Sequence, residues 1–253
     1  MISFIGAGPG AYDLITLRGA NRLSQADIVI WASSLVSPEL LTYAKNTARV
    51  IDSKSLTLEE IIQIYQENKN AKIARLHSGD PSIYGAIAEQ IDYCLKAERD
   101  FEIVPGVSSF SASAAVLNKE LTVPGISQSL ILTRLGIRTK ESLSDTEKLN
   151  ELAKFNLTMG IFLSASRPKE LQNELLKPPS AYSPQTPCAV IYRATWPDQQ
   201  IRLTTLKDLA QTISEMKVKR STLVLVGDFL NKEPQRSKLY SPDFSHRFRR
   251  AKR

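Results

Sequence analysis

Along this chain the spacing of hydrophobic positions switches repeatedly between two periods. Short apolar runs rich in β-branched residues fall at 2–5, 27–31, 48–51, 72–77 and 101–104. Between them lie segments whose apolar residues recur at three and four, near 17–25, 37–45, 57–69 and 81–97; Ile61, Ile62 and Tyr65 share one helical face in the third. Such alternation predicts a mostly parallel sheet covered by helices. A helix of small residues is predicted over 108–117, and Pro124-Gly125 then punctuates the chain. Beyond it strands are predicted at 128–133, 157–163, 187–192, 200–204 and 221–226, with helices at 145–154, 167–177 and 205–216. The Pro- and Ser-rich stretch 177–187 reads as a surface connection. The pattern therefore predicts an α/β protein of two domains, 1–119 and 120–230, followed by a basic tail, 231–253.

Composition places this pattern in an ordinary globular setting. With 253 residues, 42% of them hydrophobic and 23% charged, the chain is long enough to bury a sizeable core. No apolar run approaches the roughly 18–20 residues of a membrane helix. Met1 leads directly into a strand, with no basic and apolar leader, and the two cysteines, Cys94 and Cys188, make no disulfide framework. A cytoplasmic location without a membrane partner is expected. The net charge of +7 raises the question of nucleic acid, and its distribution answers it. Residues 231–253 hold eight Lys or Arg against Glu233 and Asp243, leaving a net +1 on residues 1–230. A nucleic-acid binder carries its basic stripe on the folded body, so none is expected as partner.

Three glycine-bearing turns carry the chemistry. Gly6, Gly8 and Ala11 fit a loose dinucleotide fingerprint, yet the next helical pattern starts only near Thr16-Leu17. A pyrophosphate cradle needs the helix N-terminus inside the fingerprint and an acid at the end of the second strand; Asp27 stands at that strand's start. A nicotinamide-dependent oxidoreductase is thereby disfavoured, and a non-catalytic binding module has no positive feature. The second turn, Ser78-Gly79-Asp80-Pro81, follows a strand ending at His77. Asp80 precedes Pro81 as a helix cap precedes its first residue, and it is equally able to accept from ribose-like hydroxyls or an amine. His77 reads as a packed strand residue or as a base. The third turn, Pro105-Gly106, leads to Ser108 and Ser109 at a helix start. Neither a metal-ligating Cys/His cluster nor a Ser-His-Asp arrangement is present in the pattern, so no metal is expected.

With these residues in hand, the sequence resembles a known family. GAGPG (6–10), GDPSIYG (79–85) and VPGVSS (104–109) occur in this order in tetrapyrrole methylases, S-adenosylmethionine-dependent enzymes of corrin and siroheme synthesis. WASSLVSPELL (31–41), LTRLGIRT (132–139), IFLSAS (161–166), VIYRATWPDQQI (190–201) and SKLYSPDFSHRFR (237–249) look like the branch that methylates precorrin-4 at C11. The resemblance implies two α/β/α domains with a cofactor cleft between them, usually in a homodimer. It implies S-adenosyl-L-methionine as methyl donor and a precorrin substrate, metal-free or carrying cobalt. Carried over position by position, the cofactor site comprises Pro9, Ser78, Gly79, Asp80, Ile83, Ser108, Ser109, Leu163 and Ala194. A tetrapyrrole trough is expected beside the first loop, toward residues 33–37. Because the substrate is a polycarboxylate, Arg134, Arg138 and Arg193 are candidates to pair with it. The nearest alternatives are methylation of another corrin carbon or of uroporphyrinogen III; an rRNA ribose methyltransferase fits less well.

Overall fold

The first apolar run forms β1 (Ile2–Gly6), and the helical patterns and runs after it form α1 (Leu17–Gln25), β2 (Ile28–Trp31), β3 (Arg49–Asp52), α2 (Leu58–Glu67), β4 (Ile73–His77), α3 (Ala88–Lys96) and β5 (Phe101–Val104). In the computed structural model, which describes residues 1–136, 143–233 and 236–251, these strands pair in the order β3-β2-β4-β1-β5. Every pairing is parallel, with Ile2 opposite both Ile73 and Phe101. One face packs Ile5, Val29 and Leu76 against Leu23 of α1 and Leu40; the other packs Phe4, Ile30 and Ile73 against Ile61 and Tyr65 of α2 and Cys94 of α3. Burial on both faces is why the three inner strands, β2, β4 and β1, read as near-continuous apolar runs, whereas the edge strands β3 and β5 stay partly exposed.

Local chemistry sets the helix starts. Thr57 and Glu60 form a reciprocal capping box at α2, and the Thr16 hydroxyl accepts from Gly19 N at α1. Two expectations change. Residues 37–45 give only a 3₁₀ turn, Pro38–Tyr43, in which the Thr42 hydroxyl takes the Glu39 carbonyl that a longer helix would use. The helix expected from residue 81 begins at Ala88, because Tyr84 (φ 55°) and Ala86 (φ 49°) turn the intervening chain left-handed. Pro81 is thus not a first helical residue, and Asp80 caps no helix.

A second sheet contains β6 (Leu130–Arg134), β7 (Thr158–Phe162), β8 (Pro187–Tyr192), β9 (Gln200–Thr205) and β10 (Thr222–Val226), in the order β6-β7-β10-β8-β9. Only β6 and β7 run parallel; the other pairings are antiparallel. Preceded by α4 (Ser109–Val116), this part adds α5 (Leu149–Ala153), α6 (Pro168–Leu176) and α7 (Leu209–Glu215). Its core joins Met159, Ile161, Val190 and Val224 to Leu171 and Leu175 of α6 and Leu209 and Ile213 of α7. Of the helix expected at 145–154, only α5 is α-helical; a 3₁₀ turn, Asp145–Glu147, precedes it. By contacts the chain divides into one unit of Met1–Ala112 with Arg193–Gln199, and another of Ser113–Tyr192 with Gln200–Arg253.

Candidate functional site

In the first unit the order β4-β1-β5 brings the carboxyl ends of three strands side by side, and each end carries one of the glycine turns. The turns are bonded to one another. Gly8 and Gly79 exchange main-chain hydrogen bonds, Gly79 N to Gly8 O at 2.7 Å and Gly8 N to Gly79 O at 3.2 Å. The Asp80 carboxylate accepts from Gly106 N at 2.9 Å and from Ser82 N at 2.7 Å. Approach is close enough that a Cβ on Gly106 would stand 2.2 Å from Gly79 O, and one on Gly6 2.4 Å from Gly106 Cα. Partial burial pushes the Asp80 carboxyl upward, but the Gly106 and Ser82 donors outweigh it and hold the group below the usual aspartate range. It is therefore an anion at neutral pH.

The segment 193–199 closes over the first loop. Trp196 Nε1 donates to Pro9 O at 2.9 Å, and Ala11 N donates to the Thr195 hydroxyl at 3.0 Å. A Cβ on Gly10 would meet Trp196 Cδ1 at 2.3 Å, so glycine is what admits the indole. Arg193 lies 4.0 Å over the Trp196 ring and pairs with Asp198 at 2.6 Å. That guanidinium is thus held within its own loop. Arg138 lies outside the described residues, and Arg134 ends β6.

Of the nine residues expected at a cofactor, eight belong to this unit. Pro9, Gly79, Ser108 and Ala194 are buried, Asp80, Ile83 and Ser109 half-buried, and Ser78 exposed. Ser108 and Ser109 stand at the start of α4, whose first-turn N–H groups have no intrahelical acceptor. Leu163 belongs to the other unit, at the end of β7. It is 65% exposed and left-handed, with φ 54°. Ser164 beside it fixes the turn, accepting from Leu135 N at 2.8 Å and donating to Phe162 O at 2.5 Å. A large apolar side chain in a sparsely allowed backbone state costs on the order of 1–2 kcal/mol.

His77 proves to be a packed strand residue. Its ring lies 6.1 Å from Phe4, and burial, with Arg75 near it, pushes the imidazole down to about 3 against the Gly85 carbonyl. At neutral pH it is uncharged. The 33–37 turn is anchored by Asp52, which accepts from the Ser33 hydroxyl at 2.6 Å and from Ser33 N at 3.2 Å; Leu35 is exposed. A concavity of about 660 Å³, lined by Met1, Tyr65, Lys69, Arg99 and Asp100 among others, lies at the amino ends of the strands and shares nothing with the glycine turns. Among the described residues no helix is long and apolar enough to cross a membrane.

Thr195 and Trp196 were not legible as site residues. One signal was available: with only two tryptophans in the chain, one standing inside the polar turn Arg193–Gln199 is out of place unless it packs on something.

The arrangement defines a class. The chain belongs to the tetrapyrrole (corrin/porphyrin) methylases, whose family model matches residues 1–210. Within that class it is 44% identical to the cobalt-precorrin-4 C(11)-methyltransferase of Methanocaldococcus jannaschii over 99% of this chain and 96% of that protein. It is 38% identical to a precorrin-4 C(11)-methyltransferase of a Sinorhizobium species over 98% of each. A solved cobalt precorrin-4 methyltransferase superposes with a TM-score of 0.86 at 39% identity, covering 91% of this chain and 96% of the other.

Proposed function

We propose that this chain is an S-adenosylmethionine-dependent C-methyltransferase of cobalamin biosynthesis that methylates precorrin-4, metal-free or carrying cobalt, at C11. The observation that carries the reading is likeness along the whole chain to enzymes of that name, at 44% identity over 99% of its residues. The site chemistry supports it. A ribose and an amino acid head require acceptors and donors on a closely approached backbone. Asp80 is an ionised acceptor, the first-turn N–H groups of α4 are donors, and Ser78 carries an exposed hydroxyl. The residues present thus fit the cofactor.

Bound S-adenosylmethionine supplies an electrophilic methyl on its sulfonium. The chain's task is to hold donor and ring carbon in line and keep water out, which accounts for much of the acceleration in such transfers. Asp80 binds hydroxyl or amine groups through the acceptor capacity left by Gly106 and Ser82. Ile83 offers an apolar face to the adenine, while Pro9, Gly79 and Ala194 let main chain approach it; Leu163 is the apolar residue that the second unit contributes to cofactor binding. Ser108 and Ser109 orient the opening of α4. The turn at 33–37 borders the tetrapyrrole. The enzyme is further proposed to be a cytoplasmic homodimer, with no nucleic-acid partner.

The test is incubation with methyl-labelled S-adenosylmethionine and precorrin-4 or its cobalt form, with the product mapped by NMR. Label at C11 is expected from one or both rings. Cofactor binding with transfer only to uroporphyrinogen III, or to another carbon, overturns the assignment.

A further inference from the structure

The basic tail is organised around a single guanidinium. Arg249 Nη2 donates to the carbonyls of Leu239 (2.5 Å), Ser241 (2.8 Å) and Phe244 (3.4 Å), while His246 and Arg249 exchange main-chain hydrogen bonds at 2.8 and 3.0 Å. Arg236 Nη2 donates to Tyr240 O at 2.9 Å. These bonds give the tail shape without burying its apolar side chains: Leu239 is 51% exposed, Tyr240 71% and Phe248 86%. Arg247 lies 5.5 Å over the Phe248 ring. Among the described residues no ion pair joins Lys238, Arg247 or Arg250 to a carboxylate, and Asp243 accepts from the Ser241 hydroxyl. Arg249 and Arg236 are spent on structure; Lys238, Arg247, Arg250 and the aromatic rings are left facing solvent.

We propose that residues 236–251 form a docking surface for the polycarboxylate tetrapyrrole substrate. The proposal rests on the function given above. Its occupant is set by two features together. Free guanidinium and ammonium groups call for an anion with several carboxylates, and exposed rings beside them call for a flat, unsaturated face. An acidic protein surface offers the first without the second. Nucleic acid offers both, but the near-neutral net +1 of residues 1–230 is not the body of a nucleic-acid binder. A corrinoid ring edged with acetate and propionate groups offers both and is already present as substrate.

Uroporphyrin, a stable porphyrin with eight carboxylates, is the probe, titrated by fluorescence against the full chain and two variants. One carries Lys238→Gln, Arg247→Gln and Arg250→Gln; the other Tyr240→Ser and Phe248→Ser. Both retain Arg249 and so the tail's internal bonds. Each is expected to weaken porphyrin binding about tenfold, the charge variant also flattening its salt dependence. The KM for precorrin-4 should rise in parallel, with S-adenosylhomocysteine affinity unchanged by calorimetry. Porphyrin affinity and KM within about twofold of the parent in both variants overturn the proposal. So does a single-stranded RNA that outcompetes the porphyrin and loses affinity in the same variants. Failure of the unmodified chain to methylate precorrin-4 would strike the proposed function alone, since the porphyrin titration is read independently of turnover.

Discussion

The Asp80 carboxylate and the Gly106 main-chain N–H, 26 residues apart in sequence, meet at 2.9 Å and join the turn after β4 to the turn after β5. Asp80→Ala leaves Gly106 N and Ser82 N without their acceptor and should cost about 1–3 kcal/mol in urea unfolding. Asp80→Asn keeps one acceptor and should fold, with S-adenosylhomocysteine affinity reduced about tenfold. Because the folded carboxyl lies below its unfolded value, its contribution is complete above the ordinary aspartate range and lost as pH falls through the folded value. The stability gap between parent and Asp80→Asn should therefore close in acid. A gap independent of pH would mean that the charge is not what matters.

Gly106 and Gly79 separate two reasons for glycine. Alanine at 106 would place Cβ 2.2 Å from a carbonyl oxygen, a clash that only movement of the β4 turn relieves. Gly106→Ala should lose on the order of 3–5 kcal/mol or fail to fold. At Gly79 the same Cβ has 3.6 Å of room, and only the φ of 67° opposes it. Gly79→Ala should fold with a loss of about 1–2 kcal/mol. Thermal melts of the two variants side by side decide this.

Trp196 is held by packing on Gly10, by its bond to Pro9 and by the Arg193 stack. Trp196→Phe should lose about 1 kcal/mol, the value of one hydrogen bond, and Trp196→Ala about 2–3 kcal/mol. Both should raise the KM for S-adenosylmethionine, the alanine variant more. Equal effects would show that the indole N–H carries the loop alone.

His77 is neutral in the fold down to about pH 3, and charged in the unfolded chain below its ordinary value near 6.5. Its contribution is thus present above that ordinary value and declines as pH falls from there toward 3. Between these limits the parent should lose up to about 1.4 kcal/mol per pH unit through this one group. His77→Gln should lack that slope in chemical denaturation, and activity near neutrality should show no titration from residue 77.

Leu163 gains little from burial and bears a left-handed backbone. Leu163→Gly relieves the strain while loosening the unfolded chain, so stability should stay within about 1 kcal/mol of the parent. Affinity for S-adenosylhomocysteine should nevertheless fall about tenfold. A loss of several kcal/mol in stability with unchanged affinity would make Leu163 a structural residue.

Most elements were legible because their signals are local. Helix 17–25 coincides with α1 because Thr16 caps it and the apolar spacing ends at Gln25. The inner strands of the first sheet, β1, β2 and β4, announced themselves through burial on both faces. What escaped depends on partners distant in sequence or on backbone states that no residue type encodes. Asp80-Pro81 has the local form of a helix start, yet Gly106 and the left-handed Tyr84 and Ala86 decide otherwise. The glycine turns were visible as turns, but their mutual bonding follows from the order β4-β1-β5 and not from their spelling. Leu163 lies left-handed with no glycine or asparagine to signal it.

Residues 193–199 belong with the first unit, although they connect β8 and β9 of the second. A ribosome must therefore translate through residue 199 before the first unit has all of its chain. The growing N-terminal portion can pair its parallel strands early, but Pro9 and Ala11 have to await Trp196 and Thr195. Splitting the gene after residue 112 would yield a sheet with bare loops, whatever its solubility. Inheritance of this site is consequently all or nothing: no exchange of one contiguous half can carry it into another protein.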